Sequence, residues 1–236
     1  MTKIFFTLHF KALLDMSENT EQLNQLNEIR NMMERSSRFI SLSGLSGVFA
    51  GFFAMGGAGA FYLFLQHRLY TDFAKEFPVD ISLDLIQFCL LDAAAVIVLS
   101  LGCAVFFTTR KAKSVGQSIW DSTARRMLIN LAIPLIAGGI YCLMLLHYHW
   151  FGMIAPTTLI FYGLALLNAS KYTLDEIRWL GISEIILGLI GCFFIGFGVT
   201  LWVIGFGILH IIYGLVMYVR YETKPKETKY WQGKAD

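Results

Sequence analysis

The sequence predicts an all-α integral membrane protein with six transmembrane helices, arranged as three repeated helical hairpins. Three observations carry this expectation. The 236 residues are 56% hydrophobic and 15% charged, against about 25% charged in an ordinary soluble domain. The apolar residues fall into six runs that meet or approach the roughly twenty residues needed to cross a hydrocarbon core of about 30 Å. The cations collect on one side of those runs. The mean hydropathy of +0.58 agrees. The net charge of +2 is small, and no basic block with interleaved aromatics offers a nucleic-acid surface.

Three regions follow from the pattern. Residues 1–38 form a polar, cytoplasmic N-terminal segment, 39–219 the six-helix domain, and 220–236 a basic cytoplasmic tail. Residues 1–15 lack the long apolar core and small-x-small cleavage site of a signal peptide. They read as an upstream extension or amphipathic appendage, with Met16 as an alternative start. From Met16 to Ser37, Leu23, Leu26 and Met33 recur at helical spacing, a narrow stripe suited to the membrane surface or to a partner helix.

The six runs are 39–65, 85–108, 127–147, 151–167, 179–198 and 199–219. The last two are nearly continuous, and Gly196, Gly198, Gly205 and Gly207 mark a tight turn between them. An external loop, 66–84, is acidic on balance, and a cytoplasmic loop, 109–126, is basic. Arg30, Arg35 and Arg38 precede the first run. Arg110, Lys111, Lys113, Arg125 and Arg126 lie between the second and third, Lys171 and Arg178 between the fourth and fifth, and five more cations follow the sixth. Only Arg68 and Lys75 fall on the other side. The positive-inside rule therefore places both termini in the cytoplasm, in a cell (inner) membrane. Tyr62, Tyr70, Tyr148, Trp150, Trp179 and Tyr218 sit near span ends, where amphipathic rings favour the interface.

A repeat is visible. Arg38, Arg126 and Arg178 each open an apolar run, and the return runs carry Gly102, Gly163 and Gly214 near their inner ends. Arg126 to Gly163 is 37 residues and Arg178 to Gly214 is 36. Arg38 to Gly102 is 64, because the first external loop is longer. Parallel repeats of this kind are related by an axis along the membrane normal. The arginine-led helix and the return motif, Tyr162-Gly163-Leu164 and Tyr213-Gly214-Leu215, resemble the HdeD-like short-repeat six-helix bacterial membrane proteins. The resemblance covers the six spans. It implies a role in membrane stress or acid tolerance and supplies no catalytic residues. The long external loop and the polar N-terminal helix depart from it.

Small residues mark helix contacts, since apolar helices in lipid associate by close packing. Gly44, Gly47 and Gly51 line one face of the first run; Gly181, Gly188 and Gly191 line the fifth. Such faces serve within one chain, or hold a second copy or a protein partner.

Three ionisable residues lie in the wrong solvent, where a side chain is expensive and functional by default. Glu184 is about 9 Å along the axis from Arg178, Asp92 about 11 Å from Leu85, and His210 about 15 Å from Arg220, at 1.5 Å per residue. Glu184 either belongs to an ion path or snorkels to the edge and pairs with an arginine. Asp92 is either functional or reached by water from outside. His210 either titrates or hydrogen-bonds a neighbouring helix. Asn130, Ser43, Ser46 and Ser183 read as interhelical contacts. At outer, middle and inner levels, Asp92, His210 and Glu184 have the spacing of a relay, but paired-carboxylate catalysis needs groups within roughly 5–10 Å.

No metal or cofactor site is expected. His147 and His149 have no carboxylate or cysteine ligand near them in sequence. Cys89, Cys103, Cys142 and Cys192 form no C-x-x-C pair and read as packing residues. Without a catalytic motif, the expectation is a non-enzymatic multi-pass membrane protein with a structural, regulatory or membrane-stress role. The alternative is a small-solute or proton-coupled transporter or channel using the intramembrane acids. The lipid bilayer is the partner in either case.

Overall fold

The computed structural model describes residues 42–73, 83–114 and 120–223, with Leu26 and Ile29 as isolated helical positions. The expected N-terminal amphipathic helix, most of the external loop and the basic tail beyond residue 223 lie outside the described residues. Those described form helices and turns, with no strand among them.

The helices are α1 (Gly44–Phe73), α2 (Leu83–Ser114), α3 (Ser122–His147), α4 (Ile154–Ala169) and α5 (Asp175–Phe193). A sixth rod consists of α6 (Gly198–Trp202), a π-helical stretch (Val203–Leu209) and α7 (His210–Tyr221). Single 3-10 turns flank α4 and precede α6. Five stretches are long and apolar enough to cross a membrane: Gly44–His67, Asp84–Ser114, Ser122–His147, Phe151–Tyr172 and Ile195–Tyr221. The remaining helix, α5, has 19 residues and carries Asp175, Glu176, Arg178 and Glu184, so its composition is more polar than theirs.

The helices outrun their apolar runs. α1 and α2 have 30 and 32 residues, about 45–48 Å at 1.5 Å per residue, well beyond a core of about 30 Å. Helix therefore covers 66–73 of the expected external loop, and 109–114 and 122–126 of the expected cytoplasmic one. Leaving an apolar solvent does not end a helix; a cap or a breaker does. Asp121 is such a cap. Its carboxylate accepts from the Ala124 N–H at 2.6 Å and starts α3.

Pro134 lies inside α3 and has no N–H to give the Asn130 carbonyl one turn earlier. The freed carbonyl accepts from Asn168 Nδ2 of α4 at 3.2 Å. A helix defect thus becomes a bond between helices. Pro156 stands in the first turn of α4, where a missing N–H costs nothing.

Two glycine seams organise the molecule. In the α4/α5 seam, a Cβ on Gly181 would stand 2.8 Å from Gly163 O and 3.0 Å from Leu167 N; one on Gly188 would stand 2.8 Å from Pro156 O and 2.9 Å from Ile160 N. In the α1/α7 seam, a Cβ on Gly44 would collide with Gly214 O and Tyr218 N, and one on Gly51 would lie 2.6 Å from Gly207 O and 3.1 Å from Ile211 N. One constant shift along the sequence carries Pro156, Ile160, Gly163 and Leu167 onto Gly207, Ile211, Gly214 and Tyr218. A second carries Gly181, Ile185 and Gly188 onto Gly44, Val48 and Gly51. The two seams are therefore one interface used twice, in the same register. This register differs by three residues from the one that the leading arginines suggest for Arg38 and Arg178.

The bundle core draws on both sides. Leu166, Leu174, Ile177, Leu180 and Met217 are buried together, with Leu42, Leu131 and Tyr213 packed against them. At one end of the rods, Glu176 accepts from Arg220 at 2.8 Å and from the Tyr221 hydroxyl at 2.9 Å. Nearby, Glu222 accepts from the Gly44 N–H at 2.7 Å, and Lys111 Nζ donates to Leu42 O at 2.7 Å. Glu222 thus caps α1 from the far end of the described chain.

Candidate functional site

The polar centre of the bundle lies where α4, α5 and the sixth rod meet. Glu184 of α5 is 0% exposed and His210, the first residue of α7, is 6% exposed. His210 Nδ1 stands 3.4 Å from Glu184 Oε1 and 3.0 Å from the Gly205 carbonyl. His210 Nε2 stands 2.8 Å from the Tyr162 hydroxyl of α4. A carbonyl only accepts, so Nδ1 carries the imidazole proton and donates it to Gly205. Nε2 is then the acceptor, and the Tyr162 hydroxyl donates to it. In this tautomer the ring is neutral and satisfied at both nitrogens.

Glu184 is not satisfied. Neither of its carboxyl oxygens has a hydrogen-bond partner among the described residues. A buried polar group without a partner costs about 1–3 kcal/mol, so its presence calls for an explanation beyond packing. It does not snorkel to the edge, and it pairs with neither Arg178 nor Arg126.

The π-helical stretch builds this arrangement. A π turn widens the helix by one residue and often marks a functional position. Gly205 lies within it, and a Cβ there would collide with Glu184 Oε2 and come 2.6 Å from Leu159 Cδ2. Glycine at 205 therefore leaves the carboxylate its space, while the same residue's carbonyl holds the histidine. Trp202, Phe206 and His210 follow one another along the rod, Trp202 tilted on Phe206 at 4.9 Å and Phe206 stacked on His210 at 5.7 Å between ring centroids, and Tyr162 lies 4.9 Å from Phe206.

Of the three ionisable residues singled out in the sequence, the structure brings Glu184 and His210 together and leaves Asp92 apart. Asp92 faces α1, where a Cβ on Gly57 would stand 3.1 Å from its carboxylate. The three-level ladder is thus a two-residue contact plus a separate acid on the first hairpin. Gly44, Gly47, Gly51, Gly181 and Gly188 are engaged inside the chain, and Gly191 lies against Pro156. Asn130 supplies its backbone carbonyl to Asn168 while its side chain donates to Arg126 O of its own helix; Ser183 donates to a carbonyl of its own helix, Ser46 to the Ser43 carbonyl just before its helix, and Ser43 to Glu222. His147 and His149 contact Tyr148 and Phe151 rings. Among the described residues no three His, Cys, Asp or Glu side chains are grouped to hold a metal.

Tyr162 is the residue that sequence reasoning missed. Its Y-G-L setting directs attention to the glycine beside it, yet a tyrosine within an apolar run needs a partner for its hydroxyl.

The internal repeat supplies a control. The shifts that superimpose the seams carry Glu184 onto Gly47, Leu159 onto His210 and Tyr162 onto Tyr213. The α1/α7 seam therefore has glycine where the α4/α5 seam has the acid, and the α4/α5 seam has leucine where the α1/α7 seam has the histidine. Neither ionisable residue is needed to make the interface. Comparison with family models, curated proteins and solved structures finds no match for this chain.

Proposed function

We propose that this chain is a six-span protein of the cell inner membrane that carries protons through Tyr162, His210 and Glu184, as a proton-coupled transporter or channel. The observation that carries the reading is the fully buried, unpartnered Glu184 carboxylate 3.4 Å from His210 Nδ1. Intramembrane acids facing a histidine are the parts from which proton relays are made. α5 completes the sixth span, with Glu184 in this site and Glu176 paired with Arg220. The cation distribution supports cytoplasmic termini, and the repeated seam supports three hairpins in the same orientation. The resemblance to HdeD-like proteins accords with a task in acid or membrane stress.

The chemistry uses both sides of the imidazole. The Tyr162 hydroxyl passes its proton to Nε2 as Nδ1 releases its own to Glu184. Tyrosine regains a proton from its far side, and the carboxylic acid loses one onward. One proton has then crossed with no net charge left behind, and the ring is left with its proton on Nε2; before a second can pass, the imidazole gives that proton to water and takes one from water at Nδ1.

The test is proton flux into proteoliposomes under an imposed pH gradient. Wild type should exceed empty liposomes, and Glu184→Gln should fall to their level, because the amide occupies the same space without exchanging a proton. Tyr162→Phe should reduce flux without abolishing it if water reaches Nε2. Equal flux in wild type and Glu184→Gln would overturn the relay. Wild-type flux no greater than that of empty liposomes, in protein shown to be inserted and helical, would favour a structural or regulatory role. The tight glycine seams suit that second reading, since a rigid scaffold needs them and a carrier must loosen them.

A further inference from the structure

Glu184 lacks what a buried carboxylate ordinarily has, a cation. The residue is 0% exposed, and neither carboxyl oxygen has a hydrogen-bond partner among the described residues. His210, at 3.4 Å, is neutral in the tautomer that Gly205 and Tyr162 impose on it. Arg178 stands about 9 Å away along the α5 axis at 1.5 Å per residue, and Arg220 is committed to Glu176. An ionised carboxylate without a counter-ion is costly away from water, so this group holds either a proton or another cation.

The surroundings select the cation. A metal ion needs several ligands to replace its water. No three His, Cys, Asp or Glu side chains are grouped for one among the described residues, and the Gly205 carbonyl is already taken by His210. What stands beside the acid is aromatic surface. The rings of Tyr162, Phe206 and His210 form a triangle with centroids 4.9, 5.4 and 5.7 Å apart, and Trp202 lies 4.9 Å from Phe206. Aromatic faces attract organic cations, and quaternary ammonium ions are recognised in this way. Tyr162, Phe206 and Trp202 are each partly exposed. They belong to stretches apolar enough to cross a membrane, so their open edges face lipid.

We propose that Glu184, bordered by Tyr162, Phe206 and Trp202, is a binding site for lipophilic ammonium ions, which enter from the lipid past the Phe206 and Trp202 rings. The site is closed in this structure, since even a Cβ on Gly205 would collide with Glu184 Oε2. Turning two side chains opens it, and both glycine seams stay shut. The carboxylate holds a proton or the ammonium ion but not both, so each expels the other. As the coupled substrate, the ion rests on the proton-transport reading; as a ligand, it is tested separately.

The experiment is equilibrium dialysis of the full chain in detergent against benzyltrimethylammonium, whose charge is fixed, and against its neutral isostere neopentylbenzene. Wild type should retain the ammonium ion at least tenfold more tightly than Glu184→Gln, while the two retain neopentylbenzene alike. Phe206→Leu and Trp202→Leu should weaken retention of the ion roughly two- to thirtyfold, the usual range for one cation–π contact. Phe206→Tyr should restore it, and Phe193→Leu, at an exposed aromatic outside the site, should leave it unchanged. If Glu184→Gln loses its helical signal, the contrast between Phe206→Leu and Phe206→Tyr decides. Equal retention of the ion by wild type and a folded Glu184→Gln overturns the proposal, and so does indifference to the aromatic substitutions. Proton flux that depends on Glu184, without retention of the ion, overturns the cation site and leaves the relay. Retention that depends on Glu184, in protein without proton flux, supports the site and sinks the relay.

Discussion

At the scale of single residues, Glu184 conflicts with its surroundings. Its carboxyl group is fully enclosed, lacks a hydrogen bond and faces a histidine whose own nitrogens are already engaged. Such a group weakens the fold and persists where it is used. Glu184→Leu should therefore raise the stability of the protein in detergent by about 1–3 kcal/mol while ending proton flux. Thermal unfolding followed by circular dichroism measures the first effect. A lower midpoint would mean that the carboxyl group supports the fold, which would sink the functional argument. Glu184, His210 and Asp92 were all legible in the sequence as polar residues in an apolar solvent, because composition alone exposes them. Their grouping was not. Glu184 and His210 belong to different helices, and the rotation that brings them together depends on a π turn for which apolar periodicity has no signature. Tyr162 was hidden for the same reason, since its partner is defined by that turn.

At the scale of elements, the sixth rod shows how a local irregularity makes a site. Gly205 and Gly207 suggested a turn between two spans, whereas the structure places both inside a continuous rod, in its π-helical stretch. Helices were legible because long apolar runs need no tertiary context. Their ends were not, since caps such as Asp121 and Glu222 act through geometry that hydropathy does not record. Gly205→Ala tests the coupling between the rod and α5. Its methyl group would collide with Glu184 Oε2 and crowd Leu159, so the variant should lose about 1–3 kcal/mol as an overpacked core does. Combining it with Glu184→Ala should recover much of that loss, because the methyl group then occupies vacated space. A double-mutant cycle in thermal unfolding reads the coupling. Strictly additive losses would show that Gly205 matters for the π turn itself and not for its neighbour.

At the scale of the whole molecule, one interface is made twice, between α4 and α5 and between α1 and the sixth rod. Matching arginines and return glycines made a repeat visible, but the sequence could not say which faces meet. The leading arginines misplace the register by three residues because an arginine at a membrane edge can follow the surface, whereas a glycine pressed on a backbone cannot move. If the seams are copies, equivalent substitutions should have equivalent effects. A Cβ on Gly51 would stand 2.6 Å from both Gly207 O and Ile211 Cγ1, and one on Gly188 would stand 2.8 Å from Pro156 O and 2.6 Å from Ile160 Cγ1. Gly51→Ala and Gly188→Ala should therefore destabilise the protein by similar amounts, about 1–3 kcal/mol each, and add when combined because the seams are separate. Gly56→Ala and Gly59→Ala, which meet nothing, should be neutral or gain up to about 1 kcal/mol from helix propensity. Unfolding in one detergent compares all four. A large loss at Gly56 or Gly59, or a wide gap between Gly51 and Gly188, would show that the seams differ in energy despite their common register, and the repeat would then explain geometry without explaining stability.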